Sequence, residues 1–152
     1  MNTNHNPIVL IDRSATLVFP YWVKKILHPE IQDVGPAEFD IRRLELHVLD
    51  GQKDRWTSGK TIYAYHEEHG MFEDDLGLRE LQAIRAREVG FYRAYLKGLV
   101  PVAWKSGVLD EGGDSYVPFI CERSGSDGVM LDWCWVGNGH FHTNGVAVRF
   151  GK

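Results

Sequence analysis

His66-Glu67-Glu68-His69 sets two imidazoles three residues apart, on one face if the segment is helical, with two carboxylates between them. Imidazole nitrogen and carboxylate oxygen are zinc donors, so the segment is compatible with metal chemistry. Its spacing differs from the zincin helix, where histidines four apart grip one ion while a glutamate acts as base. His140-Phe141-His142 offers a second pair, whose rings point the same way on a strand. Were the two segments to meet, His66, His69, His140 and His142 would be the ligands of a metal-dependent hydrolase, with zinc as cofactor and Glu67 or Glu68 as base. The simpler reading needs no cofactor. In it His66 and His69 close a polar, exposed turn before Gly70, and His140 and His142 lie on a loop beside Gly139 and Asn144. A chain with seven histidines produces such pairs by chance.

Other reactive residues are less well placed. Cys134 with His140 could act as a thiol and base, but Cys134 stands between Trp133 and Trp135, and burial raises a thiol's pKa and makes it inert. Ser14 and Ser106 lack the Gly-x-Ser-x-Gly elbow of a nucleophile. Gly112-Gly113 and Gly137-Asn138-Gly139 read as hairpin turns, since neither has the fixed pattern of a phosphate-cradling loop. Trp104, Trp133 and Trp135, with Tyr116 and Phe141, could stack on a sugar or an unpaired base, or they could fill a core.

These residues depend on the elements that carry them. Pro7 to Ile11 reads as a first strand. Tyr21 to Leu27 has Trp22, Val23, Ile26 and Leu27 at helical spacing between Pro20 and Pro29, which predicts a short helix. Phe39 to Leu49 changes parity partway, as a bulged strand or a strand entering a turn would, and Gly51 to Gly59 is a loop. Leu76 to Leu96 has the strongest periodicity: Leu78, Leu81, Ile84, Val89, Phe91, Tyr92, Tyr95 and Leu96 share an arc of roughly 160° at helical pitch. Asp74 or Asp75 can cap this helix and Gly98 can end it, while Gly90 marks a bend or a division into two. Leu99–Trp104, Tyr116–Glu122, Val129–Val136 and Val146–Phe150 are strand-like runs divided by glycine-containing turns. With the hairpin turn centred on Ser126, Val117, Phe119 and Cys121 share a face with Leu131, Trp133 and Trp135, which the long helix covers. The expectation is an α+β domain spanning 1–152: an antiparallel sheet of about five strands, mainly C-terminal, packed on one long amphipathic helix, with the bend or division at Gly90 left open, plus the short N-terminal helix.

Composition narrows the function classes. A chain of 152 residues with 43% hydrophobic and 25% charged residues has the makings of one ordinary core and excludes a disordered tail or a disulfide scaffold. Seventeen Lys and Arg against twenty-one Asp and Glu leave a net charge of -4, which argues against nucleic acid as a partner. No stretch approaches the roughly twenty apolar residues of a membrane helix, and the N-terminus lacks a signal-peptide core. Cys121 and Cys134 are misplaced for a disulfide in either register of their hairpin, and two reduced thiols predict a cytoplasmic setting.

Leu76-Gly77-Leu78-Arg79, Gln82-Ala83-Ile84, Phe91 to Gly98, Trp104-Lys105-Ser106, Val117-Pro118 and Leu131 to Gly137 leading to Val148-Arg149-Phe150 resemble a family of short hypothetical proteins from candidate-phylum bacteria. Ile11-Asp12-Arg13-Ser14 is similar to the start of the same group. Phe72-Glu73-Asp74-Asp75 is extra length within the resemblance, and His140 and His142 lie outside its pattern. The resemblance implies a bacterial cytoplasmic protein made as a single unit; it implies no activity, cofactor or catalytic residue. The reading that follows is a small non-catalytic binding or interaction module for a protein or small ligand. It uses an aromatic patch of Trp104, Trp133, Trp135 and Phe141, with the histidines and Asn144 as polar contacts. The metal-dependent hydrolase is its alternative. A third option is an acidic inhibitor presenting Glu67, Glu68, Glu73, Asp74 and Asp75 to a basic partner.

Overall fold

A computed structural model of the chain describes residues 5–123, 125, 128–137 and 139–151. Along it run β1 (Ile8–Leu10), β2 (Lys25–Ile26), β3 (Glu38–Asp40), β4 (Glu45–His47), α1 (Asp50–Asp54), β5 (Thr57–Ser58) and α2 (Gly59–Glu68). They are followed by α3 (Leu78–Arg85), α4 (Val89–Tyr95), β6 (Val108–Leu109), β7 (Ser115–Glu122), β8 (Val129–Trp135), β9 (His140–Phe141) and β10 (Ala147–Arg149). The fold is α+β, with its strands in several antiparallel sheets instead of the single five-stranded sheet expected. Four strands pair in the order β2-β6-β7-β8, and β1-β3, β10-β4 and β5-β9 pair separately. Val102 bridges Phe119 on one side and Ala147 on the other, which ties the hairpin to the β10 pair.

The β7–β8 hairpin is in register Tyr116↔Trp135, Pro118↔Trp133 and Ile120↔Leu131, one residue away from a turn centred on Ser126. Ser124, Ser126 and Asp127 lie outside the described residues, as does Asn138; Arg123 N–H donates to Gly128 O at 2.8 Å and Gly125 has φ +77°. The slip moves Trp133 and Trp135 onto the face of Tyr116 and Ile120 and leaves Val117, Phe119 and Cys134 on the other. It also fixes the thiols. Cys121 opposes Met130 and Cys134 opposes Val117, so the two cysteines are well separated along the ladder and both are free. Pro118 is tolerated inside β7 because its carbonyl faces away from β8, accepting from Ala103 N–H at 2.9 Å, so its missing N–H breaks no bond to β8.

The helix expected over Leu76–Leu96 is two helices, and the division falls at Ala86–Glu88, not at Gly90. Arg87 leaves the helical path to donate to the carbonyls of Ile8 (2.9 Å) and Asn6 (2.8 Å) and sits 4.0 Å over the Phe91 ring. Gly90 lies inside α4, where a Cβ would stand 2.9 Å from the His5 ring. The N-terminal helix does not form. Lys24 N–H donates to Leu109 O (2.9 Å) and Leu27 N–H to Gly107 O (3.0 Å), so a window too short to nucleate a helix finds its backbone partners across the sheet. The parity change after Phe39 is a 3-10 turn, Ile41–Arg43, capped where Asp40 accepts from Arg42 N–H at 2.9 Å. Within Gly51–Gly59, expected as a loop, lie most of the short α1 and β5.

Two apolar clusters result. One gathers Val9, Phe39, Leu81, Ile84, Phe91, Tyr92, Ile120 and Val148 between α3, α4 and the β1–β3 and β10 strands. The other gathers Ile62, Phe72, Val102, Trp104, Val117, Val136 and Phe141 between α2 and the opposite hairpin face. Each such side chain, fully buried, contributes about 1.5–3 kcal/mol.

Candidate functional site

Among the described residues, charged groups are buried around the start of α3 and at the end of α2. At the start of α3, Gly77 has no side chain with which to cap the helix, and neither Asp74 nor Asp75 does so. Ser106 accepts from Leu78 N–H (2.7 Å) and Glu80 from Gly77 N–H (2.6 Å). The cap requires close approach: a Cβ on Gly77 would stand 3.0 Å from both Lys105 and Ser106. Glu80 is also paired with Arg13 (2.5 Å) and Lys105 (3.9 Å), and Gln32 receives the Ser106 hydroxyl proton while donating to the Lys105 carbonyl. Desolvation pushes the Lys105 ammonium below its usual pKa, against the opposing pull of Glu80. These contacts fasten the start of α3 to Arg13 before it and to the Trp104–Ser106 turn after it, with Gln32 tying that turn down in its place, which makes the cluster a structural one.

The second place is His66. It is the last inward residue of α2, one turn after Ile62, and is 0% exposed, whereas it was expected on an exposed turn. Its Nδ1 donates to Asp75 at 2.5 Å, and Asp75 also accepts from Arg149 at 3.0 Å. His69 is exposed beyond the helix end, stacked on Tyr65 with ring centroids 3.9 Å apart. His140 stacks on Trp56 at 3.8 Å, and His142 hydrogen-bonds to the Arg55 carbonyl at 3.0 Å. Among the described residues no group of three or more His, Cys, Asp or Glu side chains is placed to hold a metal ion. The run from Glu67 to Asp75 is not one acidic surface either: Glu67, Glu68 and Glu73 are exposed, Asp74 lies 3.6 Å from Arg149, and Asp75 is buried.

The aromatic residues expected to form one patch are divided among different environments. Trp104 is 0% exposed, because the 3-10 turn Trp104–Ser106 sends all three of its side chains inward; its ring lies 5.2 Å from Phe141 and 5.9 Å from His66. Phe141 is buried in the same cluster. Both are core residues. Trp135 is 42% exposed, and Trp133 is half-buried on the same strand face.

Among the described residues, two hollows open on the hairpin. A small one of about 170 Å³ lies over Val102, Phe119, Cys134, Phe141, His140, His142 and Asn144. Its thiol is a poor nucleophile: burial, and then the charge of Asp132, raise the Cys134 pKa. Alkylation of Cys134 by iodoacetamide at pH 7.5 should therefore be slower than that of a free cysteine peptide, and should accelerate only at a higher pH than the peptide needs. Peptide-like labelling followed by mass spectrometry would contradict this.

The larger hollow, about 380 Å³, is lined by Trp22, Asp110, Tyr116, Asp132 and Trp133. Trp22 stands edge to face with both other rings, 5.0 Å and 62° from Tyr116 and 5.6 Å and 86° from Trp133. Phe19 backs Trp133 from 6.2 Å. The three rings form a corner whose walls hold one another in place. Asp110 follows the last residue of β6 and accepts from Asp114 N–H (2.9 Å). Asp132 projects to the face opposite Trp133, but β8 is an outer strand, and the carboxylate folds back over the edge to accept from Trp133 N–H (2.8 Å). Loss of solvent, then the charges of Asp110 and Asp114, push the Tyr116 phenol above its usual pKa, so it remains a protonated donor. Sequence reasoning assigned Trp22 to a helix and did not single out Asp110. The remaining signal was the unusual run of aromatic residues next to Asp132 in a strand otherwise apolar.

Protein-family models, curated proteins and solved structures, each compared with the chain, yield no match.

Proposed function

We propose that the protein is a non-catalytic binding module whose ligand seats in the corner of Trp22, Tyr116 and Trp133. The observation that supports this reading is the corner itself: three half-buried rings, fixed by mutual contact, facing an open volume suited to a small organic molecule. Rings held this way lose little conformational freedom on binding, which favours affinity. The proposal keeps Trp133 from the expected patch, adds Trp22 and Tyr116, and gives Trp104 and Phe141 to the core. The polar groups on the rim are two carboxylates already hydrogen-bonded to backbone N–H groups, better arranged to attract a ligand than to relay a proton.

A fragment screen followed by NMR on the full chain tests the reading. Hits should perturb the indole N–H resonances of Trp22 and Trp133 and leave that of Trp104 unchanged. Trp133→Leu should abolish those shifts with circular dichroism preserved. Hits that map to the hollow beside His140 and Phe141, or no saturable hits, would overturn it.

A further inference from the structure

We infer that the aromatic corner binds a small trimethylammonium compound, a choline-like cation with an uncharged tail; this rests on the binding-module reading above. The face of an aromatic ring carries negative potential, and a cation within about 6 Å of a ring centroid is held by it. Three such rings meet here with two carboxylates, Asp110 and Asp132, at their margin, and Glu111 and Asp114 add further acidic groups in the adjoining turn. The cations closest in sequence, Lys24 and Lys25, are exposed on the neighbouring strand and do not line the hollow.

Several ligand classes fit worse. An anion would set its charge against two carboxylates, with no Lys or Arg among the described residues that line the hollow. A phosphate-bearing head group, as in a choline lipid, would set its phosphate against that same rim. A primary ammonium or a guanidinium carries several N–H donors, and against the ring faces that make up most of this lining some of them would lose water without gaining an acceptor. A quaternary ammonium has no N–H to satisfy and needs only charge and apolar contact, which this corner supplies. A methylated side chain within a peptide would gain most by pairing its backbone with the free edge of β8. That edge is blocked at Trp133, whose N–H is capped by Asp132.

Calorimetric and NMR titrations of the full chain with tetramethylammonium, choline and 3,3-dimethylbutan-1-ol, the neutral carbon counterpart of choline, decide the matter. Choline should bind saturably with shifts at Trp22 and Trp133, and the neutral counterpart should bind about tenfold more weakly. Asp110→Asn and Asp132→Asn, which preserve shape, should each weaken choline several-fold, and Trp135→Leu should not change it. Equal binding of choline and its neutral counterpart would overturn the cation and leave the module standing. Saturable binding of neither, alongside an empty fragment screen, would remove both. A trimethyllysine peptide binding tenfold tighter than choline would overturn the small-molecule assignment in favour of a protein partner.

Discussion

Glu80→Gln should destabilise the fold by about 3 to 5 kcal/mol, because it leaves a buried ammonium without its counter-charge. Glu80 is fully buried and faces Arg13, Lys105 and the Gly77 N–H. Glutamine preserves the oxygen that caps α3, so the loss isolates the charge. The variant's deficit should also depend on pH in a defined sense. Lys105 already has a depressed pKa in the fold, and removing Glu80 depresses it further, while the unfolded chain keeps a value near 10.4. Between those two values the unfolded state binds more protons, so stability rises with pH. Denaturant melts at pH 7 and pH 9.5 should show the deficit shrinking at the higher value, and Lys105→Met in the variant should recover much of it. A deficit below about 1 kcal/mol that ignores pH would mean that the buried charges are not coupled.

Trp104→Ala should cost about 3 to 5 kcal/mol and lower the melting temperature by about 10 °C or more, since it opens a cavity between His66 and Phe141. Trp104→Phe should cost well under half of that, because among the described residues the indole Nε1 has no hydrogen-bond partner to lose. A nearly neutral Trp104→Ala in calorimetry would mean that the ring is not packed as described and would reopen the surface patch that includes it.

The parts of the fold legible in the sequence are those set by near neighbours. The alternation in β7 and β8, the apolar run of β1 and the arc of α3 and α4 are written in local spacing. The break between α3 and α4 is not, because Val89 to Leu96 continue the same arc as Leu78 to Ile84. What divides them is the bond from Arg87 to the carbonyls of Asn6 and Ile8, far away in the chain. The hairpin register failed for a related reason: a turn rich in Gly and Ser accepts either centre, and a slip of one residue exchanges the faces of every side chain. Trp22 has helical spacing to Ile26, but its ring partners, Tyr116 and Trp133, belong to a hairpin in the second half of the chain. Lys105 and Glu80 are residue types usually found in water, and nothing local marks them as interior. The candidate site was thus half visible, through Trp133 and Tyr116 in the stacking set, and Trp22 and Asp110 joined it only with the tertiary contacts.

One wall of the aromatic corner comes from the first strap of the chain and the other two from the hairpin close to its far end. The recess therefore does not exist until the longest loops of the fold have closed, and an occupant spans that closure like a clasp. By mass action, a compound present at a hundred times its dissociation constant would deepen the native well by about 2.7 kcal/mol. Occupancy and survival of the whole fold are then one equilibrium, so a scarcity of ligand would register as a weaker protein as well as an empty one.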